Sequence, residues 1–236
     1  METDEAAAKP VAVHHIAIAT KDMKGQLEFF TQVLGMELVG LFWMHGVPGG
    51  RHSFLRLGDS CSLSFVELPA MADVDAEIGR THAGNGAGVC APGAMQHLAF
   101  DVADETALLA MRDRIRSHGV NVFGPIDHGM CKSVYFAGPE NLTLELATSA
   151  RAIDGDAWID PEVCAACGID AADLERFKRP SPTVDRGGAV AQPPIDPSKP
   201  RMSYPDKVYA RMVAATDEEI AATSYADPPV RSAETG

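Results

Sequence analysis

The chain has 236 residues, of which 46% are hydrophobic, and a formal net charge of −13. That length holds one large domain or two small ones. The acidic balance argues against nucleic acid and anionic membrane surfaces, since both reward Lys and Arg. Residues 1–9 are acidic and lack an apolar core, so they do not read as a signal peptide. No apolar run approaches the roughly 18 residues of a membrane span, and a soluble cytoplasmic protein is the expectation. Five scattered cysteines read as free thiols. Cys164 and Cys167 have the spacing of half a zinc knuckle, but no second pair follows.

In chain order, residues 11–20 form a β-rich run in which His15, Ala17 and Ala19 share one face and His14 falls on the other. Residues 21–25 break it. Leu27, Phe30, Val33 and Leu34 then recur at helical spacing, and Gly35 stands as a C-terminal cap. Strands are expected over 36–43, 52–57 and 61–68. The connector 69–94 is rich in Gly and Ala, with a helical turn expected over 73–78. Its glycines do not fit a phosphate loop, because no Lys-Ser/Thr follows and no helix starts there.

The pattern then restarts. A strand is expected over 95–102, with His97 near its start. Leu108, Met111, Ile115 and His118 mark a helix face ended by Gly119, and 120–123 reads as another strand. Residues 127–145 read as a strand pair around Gly138-Pro139-Glu140-Asn141, in which Glu145 shares a face with Thr143 and opposes Leu142, Leu144 and Leu146. The two halves superimpose as sequences: His15-Ile-Ala-Ile on His97-Leu-Ala-Phe, and Phe54-Leu55 on Tyr135-Phe136. That alignment sets Ser64 opposite Glu145. From residue 150 the character changes. One helix is expected within 151–177, with Pro161 near its first turn, then a proline-rich extended arm over 178–205 and a helix over 208–222.

The expected architecture is therefore α+β, a domain of paired βαβββ modules over 11–148, with modules 11–68 and 95–148 and linker 69–94. The segment 149–236 is an arm that wraps its own domain or a partner subunit. Two such units, each opening on a strand His, with a strand Glu closing the second, resemble the vicinal oxygen chelate superfamily. The resemblance implies two sheets curving around one metal, with His15, His97 and Glu145 as ligands and Ser64 at the fourth position. Two imidazoles and a carboxylate are the donor set of a facial triad, which suits Fe(II); Mn, Zn and Ni are the alternatives. Serine is a poor ligand for a divalent metal. Glu67, three residues on, has the wrong strand parity and would need a bulge to replace it.

Ile126-Asp127-His128, then Tyr135, Pro139 and Glu145, resemble the signature of the extradiol ring-cleavage dioxygenases. Gly138 stands where that signature has Asp or Asn, and Asn141 where it has Gly, a position that Asn tolerates at positive φ. The resemblance implies a catechol-like aromatic substrate chelating Fe(II) beside O2. His128 would serve as acid/base and Tyr135 as a hydrogen-bond partner to substrate. His82, Ser64 and Trp43 are the further pocket candidates. Two other readings stand beside this one: a glyoxalase-type metal-dependent lyase or isomerase, and a non-catalytic module that binds a drug-like small molecule. A homodimer is expected.

Overall fold

The computed structural model describes residues 9–181 and 187–230. The acidic residues 1–8 and the last six of the chain, both part of the sequence reading above, lie outside the described residues. The chain divides into two compact units. The first contains Val11–Asp170 together with 229–230, and the second contains Ala171–Pro228.

The first unit carries two four-stranded sheets. In one, β1 (His15–Ala19), β2 (Glu37–Trp43), β3 (Arg51–Arg56) and β4 (Ser62–Glu67) run in the order β1-β4-β3-β2; in the other, β5 (Leu98–Val102), β6 (Val122–Asp127), β7 (Lys132–Ala137) and β8 (Thr143–Thr148) run in the order β5-β8-β7-β6. In each sheet the opening strand lies at one edge, parallel to the strand that closes the module. The α+β architecture of paired βαβββ modules is the one expected from the repeat.

Every second residue of a strand turns to the same face. Ile18, Leu55, Leu63 and Phe65 from the first sheet join Leu98, Phe100, Val134, Phe136, Leu144 and Leu146 from the second in one core. Phe30 sits at the middle of it, fully buried, with its ring 5.1 Å from Phe65 and 6.3 Å from Phe100. Burying a side chain of this size contributes about 1.5–3 kcal/mol. The two sheets thus share a core on the face carrying these residues, and the opposite face of each sheet stays outside it.

Helix α1 (Met23–Glu28) begins earlier than its apolar spacing predicts, because the Asp22 side chain accepts from the Gly25 N–H and caps it. A π turn over Phe29–Val33 follows, and Gly35 at φ 80° ends the run as expected. Helix α2 (Glu105–Ser117) starts at the Asp104 cap and buries Leu108 and Ile115. The connector differs from expectation. Its helical turn is a 3₁₀ stretch over Pro69–Asp73, opened by the proline, and Val74 is already extended.

The single helix expected within 151–177 is two, α3 (Pro161–Ala166) and α4 (Ala171–Lys178), interrupted where Gly168 takes φ 71°. Pro161 does occupy the first turn of α3, and Asp160 caps it. In the second unit the helix expected over 208–222 is likewise two, α5 (Asp206–Ala214) and α6 (Asp217–Ala222). The capping box read at Thr216 forms, with Glu219 returning the bond, and it starts a new helix rather than reinforcing an old one. No helix among the described residues is long and apolar enough to cross a membrane.

Candidate metal and substrate site

The register of the two sheets reproduces the repeat at the level of single residues. In the first sheet Ser64 on β4 lies between Ala17 on β1 and Phe54 on β3. In the second, Glu145 on β8 lies between Ala99 on β5 and Tyr135 on β7. Period-two alternation puts His15, Ser64 and Phe54 on one face, and Glu145 and Tyr135 on the matching face of the other sheet. Both faces are the ones turned away from the shared core.

The second module brings most of the predicted site together. Glu145 is 5% exposed, and its Oε2 lies 3.0 Å from His97 Nε2. The other ring nitrogen of His97 is bonded to the Gln96 side chain, and Gln96 in turn donates to the carbonyls of Asn85 and Gly88 in the connector. Tyr135 packs edge-on to His97 at 6.5 Å, and His128 Nε2 lies 3.0 Å from the Tyr135 hydroxyl. Burial pushes the Tyr135 phenol above its ordinary range. The charge of Glu145 and a hydrogen bond to it push the same way, while a bond to Ser133 opposes them. The phenol therefore stays a donor at neutral pH.

His128 follows β6 in a loop closed by the bond from its own N–H to the Cys131 carbonyl, and the adjacent Gly129 packs closely on Trp158. His128, Tyr135, Phe123 and the connector residues Asn85 and Gly86 line a cavity of about 620 Å³. That volume is sufficient for a small-molecule ligand.

The first module holds a different group. Its His15 ring stands 5.5 Å from Phe54. The Ser64 hydroxyl is fully buried and donates to the Ile16 carbonyl at 3.2 Å, so it ties β4 to β1. Glu67 does not replace it: β3 and β4 pair without a bulge, and Glu67 faces Arg51 across the pair at 2.5 Å, on the core side.

The structure thus brings His97, Glu145, Tyr135 and His128 together and leaves His15 and Ser64 on the other sheet. Among the described residues no three of His, Cys, Asp and Glu gather closely enough in one chain to hold a metal ion. His82 stands apart as well. Its Nδ1 is 2.8 Å from the Thr81 hydroxyl, and it lines a separate cavity with Lys21, Asp75 and Glu140. Trp43 pairs opposite Arg51, on the face opposed to Phe42, and lines a groove with Met23 and Leu27 of α1.

Three residues near the site escaped the sequence reading. The first is His14, set aside on strand parity. Strand β1 begins only at His15, so parity does not govern His14, and its Nδ1 lies 2.9 Å from His15 Nδ1. The second is His52, whose alternation with Phe54 on β3 places it on the His15 face. The third is Glu140, read only as part of a turn. Its carboxylate accepts from Thr20 Oγ1 at 2.5 Å, from the Lys21 N–H at 2.9 Å and from Gln26 Nε2 at 2.7 Å, joining the second module to the first. Burial raises its pKa, but the three bonds outweigh burial and the nearby Asp22, and hold the carboxyl below its ordinary range.

The donor chemistry suits a divalent first-row metal. An imidazole nitrogen and a carboxylate oxygen 3.0 Å apart match two neighbouring positions of an octahedral ion with bonds of about 2.1 Å. His15 stands at the equivalent repeat position on the other module.

Comparison with known proteins finds related chains. Residues 12–146 match the family model described as the Glyoxalase/Bleomycin resistance protein/Dioxygenase superfamily. A 2-epi-5-epi-valiolone epimerase from Actinomyces sp is 32% identical over 156 residues, which is 58% of this chain and 78% of the relative. A lactoylglutathione lyase from Pseudomonas aeruginosa is 26% identical over 170 residues, 64% of this chain and 89% of the relative. Among solved structures, a glyoxylase/bleomycin resistance protein/dioxygenase domain from Frankia sp. EAN1pec superposes with a TM-score of 0.46 at 15% identity, covering 59% of this chain and 98% of that one.

Proposed function

The chain belongs to the glyoxalase/bleomycin resistance protein/dioxygenase superfamily, and from that premise we propose that it is a metal-dependent isomerase or lyase that moves a proton next to the carbonyl of a small hydroxycarbonyl compound. The observation that carries the reading is the His97–Glu145 donor pair beside the bonded His128–Tyr135 pair, the latter lining a cavity of small-molecule size. An epimerase and a lactoylglutathione lyase among its relatives favour proton transfer over oxygen chemistry.

His97 and Glu145 would hold the metal from the second module. His15 would complete the set from a second copy of the chain, since the face that carries it is turned away from the shared core and strands β1 and β5 are both open edges. The site is thus shared across a homodimer. When bound, the metal supplies Lewis-acid polarisation of the substrate carbonyl.

The remaining chemistry falls to the chain's own residues. His128 takes the proton from the carbon beside the carbonyl and returns it. The bond to Tyr135 holds the His128 ring toward the cavity. Tyr135, kept protonated by burial and by Glu145, swings its single O–H from Glu145 to the oxygen that gains charge as the proton leaves. Ser64 takes no part, being committed to the Ile16 carbonyl.

A second reading, Fe(II)-dependent extradiol cleavage of a catechol-like substrate with O2, draws on one observation. His128 and Tyr135 stand together beside Glu145, as the sequence signature implies for ring cleavage. One experiment separates the two. The protein is loaded in turn with Mn(II), Zn(II), Ni(II) and, anaerobically, Fe(II). Each form is incubated in D2O with cyclic hydroxyketones and with the hemithioacetal of methylglyoxal and glutathione, and with catechols under O2. Deuterium incorporation at the carbon next to the carbonyl supports the isomerase or lyase. Oxygen uptake with yellow ring-opened products from the Fe(II) form, without deuterium exchange, overturns it in favour of the dioxygenase.

A further inference from the structure

The His15 face of the first sheet carries a polar atom that nothing in the fold explains. His52 Nε2 is buried and has no hydrogen-bond partner among the described residues. Its ring lies 4.6 Å from Phe54 and 5.6 Å from Phe42, and those two phenylalanines are stacked within 12° of parallel at 6.0 Å. A buried donor or acceptor left unbonded costs about 1–3 kcal/mol. Retaining one there has a physical reason when a ligand supplies the missing bond. Burial also pushes the His52 imidazole toward its neutral form. A neutral ring can accept or donate at Nε2 according to its tautomer.

The surroundings restrict what that ligand is. Phe42 and Phe54 stack on one another into an apolar patch, and Phe54 carries it up to His15. A ring set against such a patch buries its hydrophobic face and presents its substituents at the rim. Charge is the second restriction. Along the two strand faces that carry His15 and Glu145 there is no lysine, and Arg56, opposite Ser62, faces Glu37 at 3.5 Å. A glutathione thioester carries two carboxylates, and these faces offer no uncommitted cation to receive them.

We propose that Phe42, His52 and Phe54 form the substrate platform, with His52 Nε2 as the residue that selects an uncharged six-membered ring bearing neighbouring oxygens. The ring lies against the phenylalanines, one ring oxygen bonds His52, and the oxygens at the His15 end reach toward the metal donors. The choice of a cyclic hydroxyketone over a catechol rests on the isomerase reading; the platform itself does not.

The test is titration calorimetry on the full-length Mn(II)-loaded protein. The probes are an inosose as cyclic polyhydroxyketone, 4-methylcatechol as the aromatic counterpart and S-lactoylglutathione as the charged one. Metal content and circular dichroism are measured on every variant. The inosose should bind, and S-lactoylglutathione should bind at least tenfold more weakly. His52→Phe should keep the metal and the fold yet lose about tenfold or more in inosose affinity, the worth of one hydrogen bond. His52→Gln, which keeps a polar end, should recover part of that loss, and Phe42→Ala should weaken the inosose without changing metal content.

Equal inosose affinity in wild type and His52→Phe overturns the role of His52, and tighter binding of S-lactoylglutathione overturns the substrate class. A preference for 4-methylcatechol that falls in His52→Phe keeps the platform and overturns the cyclic hydroxyketone. Failure to take up metal refutes the proposed function separately, because the same titrations on the metal-free protein still compare wild type with His52→Phe.

Discussion

Glu140 offers the most direct test of how the two modules are held. Replacing it by alanine removes the acceptor for Thr20, the Lys21 N–H and Gln26. Gln26 is fully buried, and its Oε1 already lacks a partner. Losing the bond at Nε2 leaves both ends of that amide unsatisfied, which costs about 1–3 kcal/mol. The bonds from Thr20 and Lys21 are partly exposed to solvent and add about 1 kcal/mol more. Glu140→Ala should therefore destabilise the chain by about 3 kcal/mol, read as a lower urea midpoint at an unchanged slope.

Backbone strain gives an internal control. Glu140 has φ 53°, in the left-handed region, and alanine keeps that strain, whereas glycine releases about 1 kcal/mol of it. Glu140→Gly should thus be the milder variant. The pH dependence has a defined sign. The folded carboxyl titrates below its ordinary value of 4.5, so its contribution is fully present above that pH and is lost as pH falls through the folded pKa. The gap between wild type and Glu140→Ala should be flat near neutrality and narrow in acid. A loss under about 0.5 kcal/mol at neutral pH, or a gap that widens in acid, would refute the clamp.

Three further outcomes follow from the same structure. A methyl group on Gly138 would meet Leu144 Cδ1 at 2.7 Å, so Gly138→Ala should cost about 1–3 kcal/mol by overpacking, measured by urea denaturation. Arg114 donates to the Val33 and Gln32 carbonyls from α2; Arg114→Ala should lower stability by about 1–2 kcal/mol while leaving metal uptake intact. Tyr135→Phe should remove an absorbance change that falls above the ordinary tyrosine midpoint of 10.0 in a spectrophotometric pH titration.

The repeat was legible because strand chemistry writes it locally. His15 and His97 each open a module, and alternation alone puts Glu145 on the His97 side of its sheet. The equivalence of Ser64 and Glu145, drawn from aligned sequence halves, reappears in the strand register. Asn141, expected to tolerate positive φ, adopts φ 62°.

What stayed hidden depends on packing between elements far apart in sequence. At Gly138, Leu144 occupies the space a side chain would need, and Glu140 in the same turn bonds across to Thr20 of the first module. No local pattern ties Glu140 to Gln26 or Thr20, more than a hundred residues away. His15 was expected beside Glu145 because the repeat says that the halves are equivalent, not which face of each turns inward. Phe30, packed between Phe65 and Phe100, decides that. Trp43 was set in the pocket on residue type alone, and the pairing with Arg51 turns it to the helix side.

The claim that two copies of the chain complete one metal site is tested most directly by mixing variants. His15→Ala and Glu145→Ala proteins are each depleted of metal, mixed in equal amounts, unfolded, refolded together and dialysed against Mn(II), and bound metal per chain is measured. If the site is shared across a two-fold dimer, half the refolded dimers pair one variant with the other, and each of those has one intact site. About a quarter of the wild-type metal should then return, against the background of either variant alone. Metal content in the mixture no higher than in the separate variants would contradict the account.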